Sequence, residues 1–244
     1  MVPPGPARDD LQRAYCLHRR EYGDTSLLVE LFVDGAGRCA AIAKGARRRR
    51  NPAGALLQVF QPLWVGLVGR GEVFTLTRVE GAGRPLVLSG PALPCGFYVN
   101  ELMVRLLGRH DPQEALFAYY HAALVALAAS DSSLDDVLRR FELQLLTELG
   151  HAPDLGVDAA TGEPVVPDRT YRVGPGQGPV HPPADGAGPS ISGRTLLTLV
   201  RGEVLAPEQQ KEARVLLRGL LGPHLGTRPL KSRELFRRWR GGGR

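Results

Sequence analysis

Along the first eighty residues the apolar positions follow a strand pattern and not a helical one. Ala14-Tyr15-Cys16-Leu17-His18 alternates in type, and Ser26-Leu27-Leu28-Val29-Glu30-Leu31-Phe32-Val33 is rich in β-formers. Asp34-Gly35-Ala36-Gly37 reads as a turn, with Cys39 to Ala43 returning as the hairpin partner. Leu57 to Val68 and Glu72 to Val79 form a second pair across Gly69-Arg70-Gly71. Strands this dense leave little room for helices before Gly83. Five short antiparallel strands suit a small closed barrel, of which the OB-fold is the commonest nucleic-acid-binding form.

The period then becomes helical. Ala92 to Leu107 carries Phe97, Leu102, Met103, Leu106 and Leu107. Asp111-Pro112-Gln113-Glu114 supplies an N-cap, a proline at the first helical position and an acid three residues after the cap, so a helix is predicted to about Ala129. Ser133-Leu134-Asp135-Asp136 starts a third helix, ending at Gly150. Short links between the three imply a compact bundle. Val157 to Pro189 is rich in Gly and Pro and predicts loops with one hairpin around Val165 to Val173. Thr195 to Val200, Pro207 to Leu221 and Lys231 to Trp239 read as helices. The fold class is therefore α+β: a tail at 1–10, an OB-fold barrel domain at 11–84, and a helical domain at 92–240 with an insertion at about 151–190.

Composition adds little to this picture, whereas charge adds a good deal. The chain is 43% hydrophobic and 23% charged, near the globular average. No apolar run approaches the ~18 residues that cross a bilayer. Met1-Val2-Pro3-Pro4-Gly5-Pro6 lacks the basic and apolar regions of a signal peptide, which makes the cytoplasm the expected compartment. The net charge of +6 is segregated. Between Asp34 and Glu72 lie Arg38, Lys44, Arg47, Arg48, Arg49, Arg50 and Arg70, with no acid. From Arg228 onward seven basic residues face Glu234 alone, while Ala92 to Glu163 holds eleven acids against Arg105, Arg109, Arg139 and Arg140. Two basic ends around an acidic middle point to a polyanionic partner.

Catalytic and metal chemistry find no foothold. There is no G-x-x-x-x-G-K-[ST] loop, and Gly174-Pro175-Gly176-Gln177-Gly178 has neither dinucleotide spacing nor a strand–helix context. Cys16, Cys39 and Cys95 are far apart and read as reduced structural thiols; the six histidines are scattered. Asp135 and Asp136 are adjacent on a helix and point in different directions. No catalytic residue, metal ligand or cofactor is assigned.

The candidate binding residues are basic. Lys44 to Arg50 reads either as a solvated loop or as a phosphate contact. The second is favoured, because adjacent like charges repel until a polyanion neutralises them. Arg38 on the neighbouring strand is placed to extend the patch, and Lys231, Arg233, Arg237 and Arg238 form a second candidate surface. Phe32, Phe60, Trp64 and Phe74 are assigned to the core ahead of base stacking. On the third helix Val137, Phe141, Leu145 and Glu148 share one face, with Arg139, Leu143 and Leu146 roughly opposite. Two readings stay open there. One is a second apolar groove with a cationic rim; the other is an ordinary core helix whose arginines pair with Asp135 or Asp136.

Five runs together resemble the bacterial RecO recombination-mediator family. They are Tyr22-Gly23-Asp24-Thr25-Ser26-Leu27-Leu28, Ala43-Lys44-Gly45-Ala46-Arg47, Tyr98-Val99-Asn100-Glu101-Leu102, Leu138-Arg139-Arg140-Phe141-Glu142-Leu143 and Arg228-Pro229-Leu230-Lys231-Ser232-Arg233-Glu234-Leu235. The resemblance implies an N-terminal OB-fold and a role in DNA repair at the nucleoid. It further implies binding of single- and double-stranded DNA, annealing of complementary strands, and loading of RecA onto strands coated by single-stranded-DNA-binding protein (SSB). RecR is the implied partner, with RecF in some pathways. In the family the helical domain docks the acidic, Phe-ended SSB tail, which favours the groove reading and assigns Arg139, Arg140, Leu143 and Leu146 to it. Many members carry a four-cysteine zinc module after the third helix; here His151 to Glu163 contains no cysteine, so this chain looks like the branch without the metal. The alternatives are a general OB-fold RNA-binding protein and, third, a nuclease.

Overall fold

The computed structural model describes residues 11–129, 133–182 and 188–241, without the side chains of 238–241. The expected tail at 1–10 lies outside the described residues. The described residues divide into two compact units, one holding 11–128 together with 230–241, the other those between 129 and 229.

The first unit is built on a closed barrel of β1 (Gln12–Tyr22), β2 (Ser26–Val33), β3 (Gly37–Ala43), β4 (Pro62–Val68) and β5 (Val73–Gly81). Its order is β1-β2-β3-β5-β4, closed by an antiparallel β1–β4 pairing and a short parallel β3–β5 pairing. This is the OB-fold. The eleven-residue β1 serves two neighbours, and a register shift between Cys16 and His18 bends it from one to the other. Period-two alternation fills the interior with Ala14 and Cys16 of β1, Val29 and Leu31 of β2, Ala41 of β3, and Leu63 and Val65 of β4. A one-turn helix, α1 (Ala53–Leu56), which the sequence pattern does not announce, sits in the β3–β4 connection.

Two helices, α2 (Ala92–Leu106) and α3 (Glu114–Ala128), belong to this unit. Tyr15 and Phe32 point out of the barrel onto Phe117 and Tyr120 of α3, with ring centroids 5.1–5.9 Å apart. Tyr15 shares a 2.5 Å hydrogen bond with His121 Nδ1, and burial pushes its hydroxyl pKa up to about 12. The buried Asn100 of α2 donates to the Leu17 carbonyl at 3.0 Å and accepts from the Tyr120 hydroxyl at 2.7 Å, so barrel, α2 and α3 share one polar joint. Gly96 allows α2 its close approach, since a Cβ there would meet Leu88 at 2.3 Å and the Phe60 ring at 2.8 Å. Gly37 is fixed twice over: its φ is +73°, and a Cβ would meet the Asp111 carbonyl oxygen at 1.9 Å.

In the second unit α4 (Leu134–Glu148) packs with α5 (Gly193–Arg201) and α6 (Pro207–Leu221). Ser133 caps α4 by accepting from the Asp136 N–H at 3.3 Å. The strands β6 (Thr170–Val173), β7 (Pro179–Val180) and β8 (Ser190–Ser192) form a small sheet ordered β7-β6-β8. The last described element, α7 (Ser232–Gly241), belongs to the first unit and packs on α2.

Three expectations are corrected. The three consecutive helices do not make one bundle: α2 and α3 spend their apolar faces on the barrel, whereas α4 belongs with α5 and α6. The hairpin expected at 165–173 is instead β6–β7, centred on the turn Gly174 to Gly178. The helix α3 starts at Glu114 and not at Pro112, because the Asp111 backbone is held against Gly37, and its carboxylate accepts from the Gln113 side chain at 3.1 Å.

Candidate nucleic-acid interface

The basic run after β3 is an ordered structure. Gly45 takes φ +66°, and the Arg48 N–H returns to the Gly45 carbonyl at 3.0 Å. The Asn51 N–H bonds the Arg48 carbonyl at 2.9 Å, and its side chain donates to the Gly45 carbonyl at 3.1 Å. Ala46 is buried in the barrel core, and the Arg47 N–H bonds the Thr25 carbonyl at 2.8 Å. The loop is thereby fastened to the β1–β2 turn. Its cations are no longer equivalent. Arg47 is spent on that fastening: it pairs with Glu21 at 2.9 Å and donates to the carbonyls of Asp24 and Gly23. Lys44, Arg48, Arg49 and Arg50 are exposed, and among the described residues none forms an ion pair. Holding several uncompensated charges on a fixed backbone costs repulsion that a polyanion would remove, and the backbone, already ordered, would lose little further entropy.

Arg38 does not extend this patch. Its guanidinium lies 3.6 Å from Glu30, which also holds Arg109 at 2.9 Å, and the Arg38 side chain is half-buried in that knot. Burial lowers its pKa, Glu30 opposes that shift, and Arg109 adds to it. What extends the patch is Arg19, which lies outside the basic run of 44–50. Arg19, on the exposed stretch of β1, donates to the Gly54 carbonyl in the β3–β4 connection at 3.0 Å. The signal in the sequence is the polar run His18-Arg19-Arg20-Glu21 that follows the apolar Ala14-Tyr15-Cys16-Leu17 within one strand.

The second candidate surface is α7. Its first turn is held by Glu101, whose two oxygens accept the backbone N–H groups of Lys231 at 2.9 Å and Ser232 at 2.8 Å while pairing with Arg105 at 2.8 Å. Burial raises the Glu101 pKa, but the bonds from Ser232 and Lys231 and the Arg105 charge outweigh it and hold the carboxyl below its usual range. Two of the runs that carry the family resemblance, around Asn100–Glu101 and Lys231–Ser232, thus meet in space. Lys231, Arg233 and Arg237 are exposed; the Arg238 side chain lies outside the described residues.

On α4 neither open reading describes the arrangement fully. Arg139 is only 6% exposed and pairs at 3.0 Å with Glu142, whose side chain is 1% exposed. Leu146 is buried and Leu143 half-buried, so Arg139 is an internal ion pair and not a rim. Arg140 is exposed and donates to the Gly202 carbonyl at 2.8 Å. The two aspartates have other partners: Asp135 pairs with Arg214 at 2.8 Å, and Asp136 accepts the Leu205 N–H and the Gln210 amide. The segment after α4 is organised by the buried Asp158, which accepts the N–H groups of Ala160 at 2.9 Å and His181 at 3.2 Å. Among the described residues no group of three His, Cys, Asp or Glu side chains comes together to hold a metal ion. No helix among them is long and apolar enough to cross a membrane.

A closed five-stranded barrel in the order β1-β2-β3-β5-β4, continued by helices, defines a protein of the OB-fold class. Family models narrow the class: residues 10–83 match "Recombination protein O N terminal" and residues 89–234 match "Recombination protein O C terminal". The chain is 46% identical over 242 residues to "DNA repair protein RecO" of Methylococcus capsulatus, covering 97% of this chain and 99% of the relative. It is 42% identical over 233 residues to the protein of that name from Nitrosospira multiformis, covering 94% and 96%. It is 43% identical over 231 residues to that from Yersinia pestis, covering 95% of each. The chain belongs to the RecO family of DNA repair proteins. The family models part at residues 83–89, and the compact units part at 128–129.

Proposed function

We propose that this protein binds single- and double-stranded DNA without sequence preference, anneals complementary strands, and helps load RecA onto SSB-coated DNA. It acts without catalysis, in the cytoplasm at the nucleoid, with RecR as its partner and RecF in some pathways. The observation that carries the reading is the fastened loop with exposed, uncompensated Lys44, Arg48, Arg49 and Arg50. Arg19 on one side, and Lys231 just before α7 with Arg233 and Arg237 on it, supply further phosphate contacts. Arg47 and Arg38 serve as scaffold. For the acidic SSB tail the surface of α4 offers Arg140 beside the half-buried Leu143, with Arg139 and Leu146 supporting them from within.

Complementary oligonucleotides, with and without magnesium, test this. Annealing that needs neither metal nor ATP is the expected result. Degradation of the strands would identify a nuclease. Annealing of RNA but not of DNA would transfer the activity to a different substrate.

A further inference from the structure

A groove of about 700 Å³ runs between the exposed end of β1, the segment before β4, α2 and α7, wholly inside the first unit. That size falls within the roughly 300–1,000 Å³ of ligand clefts. Leu17, Val59, Phe97 and Val104 contribute its apolar lining, with Leu235 of α7 left 39% exposed beside them. Phe97 is half-buried and braced edge-on by Phe60, with centroids 5.4 Å apart at 67°. The groove therefore offers a ring held in one orientation and still accessible.

Its charged margin is asymmetric. Glu101 is committed to the first turn of α7 and to Arg105. Among the described residues Arg19 and Lys231 have no acidic partner, and Glu234 is the acid that remains. The groove is also joined to the basic loop. Arg19 and Gln58, both in its lining, donate to the Gly54 carbonyl at 3.0 and 3.2 Å. Gly54 in turn packs so tightly on the Ala46 carbonyl oxygen that a Cβ there would approach to 2.2 Å. The contact of Gly54 with Ala46 thus ties the groove lining to the loop that carries Arg48.

We propose that this groove takes unstacked bases of single-stranded DNA, with Phe97 as the stacking platform and Arg19 and Lys231 on the flanking phosphates. The inference rests on the DNA-binding reading and adds to it the origin of strand preference. A duplex keeps its bases stacked inside and reaches only the phosphate contacts of the loop, whereas a single strand gains the groove as well. An apolar protein segment would use the same lining but would leave the cations leading to the basic loop unmatched.

The test uses the full chain and a deoxythymidine oligonucleotide carrying 5-iodouracil. After irradiation, peptide mapping by mass spectrometry is expected to find adducts within the groove, at Phe97 or His18. Phe97→Leu keeps apolar volume and removes the ring. It is expected to weaken single-strand binding about tenfold, the scale of one lost base–aromatic stack, with duplex affinity unchanged. Lys231→Ala is expected to weaken single-strand binding in the same direction without altering the melting curve. If Phe97→Leu fails to fold, the adduct map of the parent protein decides alone. Adducts confined to residues 44–50 would overturn the assignment and leave the groove to an apolar protein segment. So would a Phe97→Leu loss that is equal on single strands and duplex. A parent protein that binds neither at low salt would remove the DNA-binding reading itself, and the groove assignment with it.

Discussion

Replacing Glu101 with Ala should loosen α7 from the barrel unit while leaving the barrel folded. The carboxylate accepts two backbone N–H groups at the helix start and pairs with Arg105, with 16% of its side chain exposed. Hydrogen bonds to a charged group contribute about 1.5–3 kcal/mol when buried, and an N-terminal cap about 1 kcal/mol. Partial exposure places each bond nearer the lower figure, so the two together contribute about 2 kcal/mol to the docking of α7. At about 1.4 kcal/mol per decade, local opening should become roughly thirtyfold more frequent. Hydrogen exchange by mass spectrometry should show this in peptides covering 230–241, with unchanged protection in β2 and β3. Arg105→Ala, which removes the ion pair and keeps the cap, should cost less than about 1 kcal/mol. The sign with pH follows from the depressed carboxyl pKa. The contribution is fully present above the ordinary glutamate range and is lost as pH falls through the lower folded value. Protection of 230–241 that is equal in parent and Glu101→Ala protein would refute the capping argument.

Arg139→Ala should unfold the second unit instead of producing a selective binding defect. It strips a buried ion pair from Glu142, a change that costs about 3–5 kcal/mol, and Arg139→Met with Glu142→Leu should recover most of the loss by thermal melting. Arg140→Ala should leave melting unchanged and lower affinity for an SSB-tail peptide in fluorescence anisotropy. Metal analysis of untagged protein should find no stoichiometric zinc, and chelators should not shift the melting curve, since hydrogen bonds to Asp158 organise the segment that follows α4.

The barrel was legible because its turns are punctuated by Gly and Asp and its strands alternate cleanly. Gly23, Gly35 and Gly45 all take positive φ where the pattern breaks. Much shorter elements carry too few residues to show a period, and so α1, with four residues, and β7, with two, went unseen. Periodicity identifies an apolar face but not what covers it. Helix α3 is apolar nearly all round, and nothing in its sequence says that Tyr15 and Phe32 of the barrel will take one side. Charge runs mislead in a similar way. Arg38, Arg47 and Arg139 count equally with Arg48 until Glu30, Glu21 and Glu142 are found beside them. Only the last of these pairs, at i,i+3 on one helix, was readable from spacing.

The central claim is that the fastened loop after β3 is where the protein meets DNA phosphates. Its most direct test is the salt dependence of single-strand binding for the parent and for a variant with Ala at Arg48, Arg49 and Arg50, with Arg47 left to hold the turn. Each neutralised phosphate adds ~0.7 to the slope of log K against log salt on single strands, so the variant's slope should be shallower by about 2, at unchanged melting temperature. A variant slope equal to the parent's would contradict the claim and move the contact surface elsewhere.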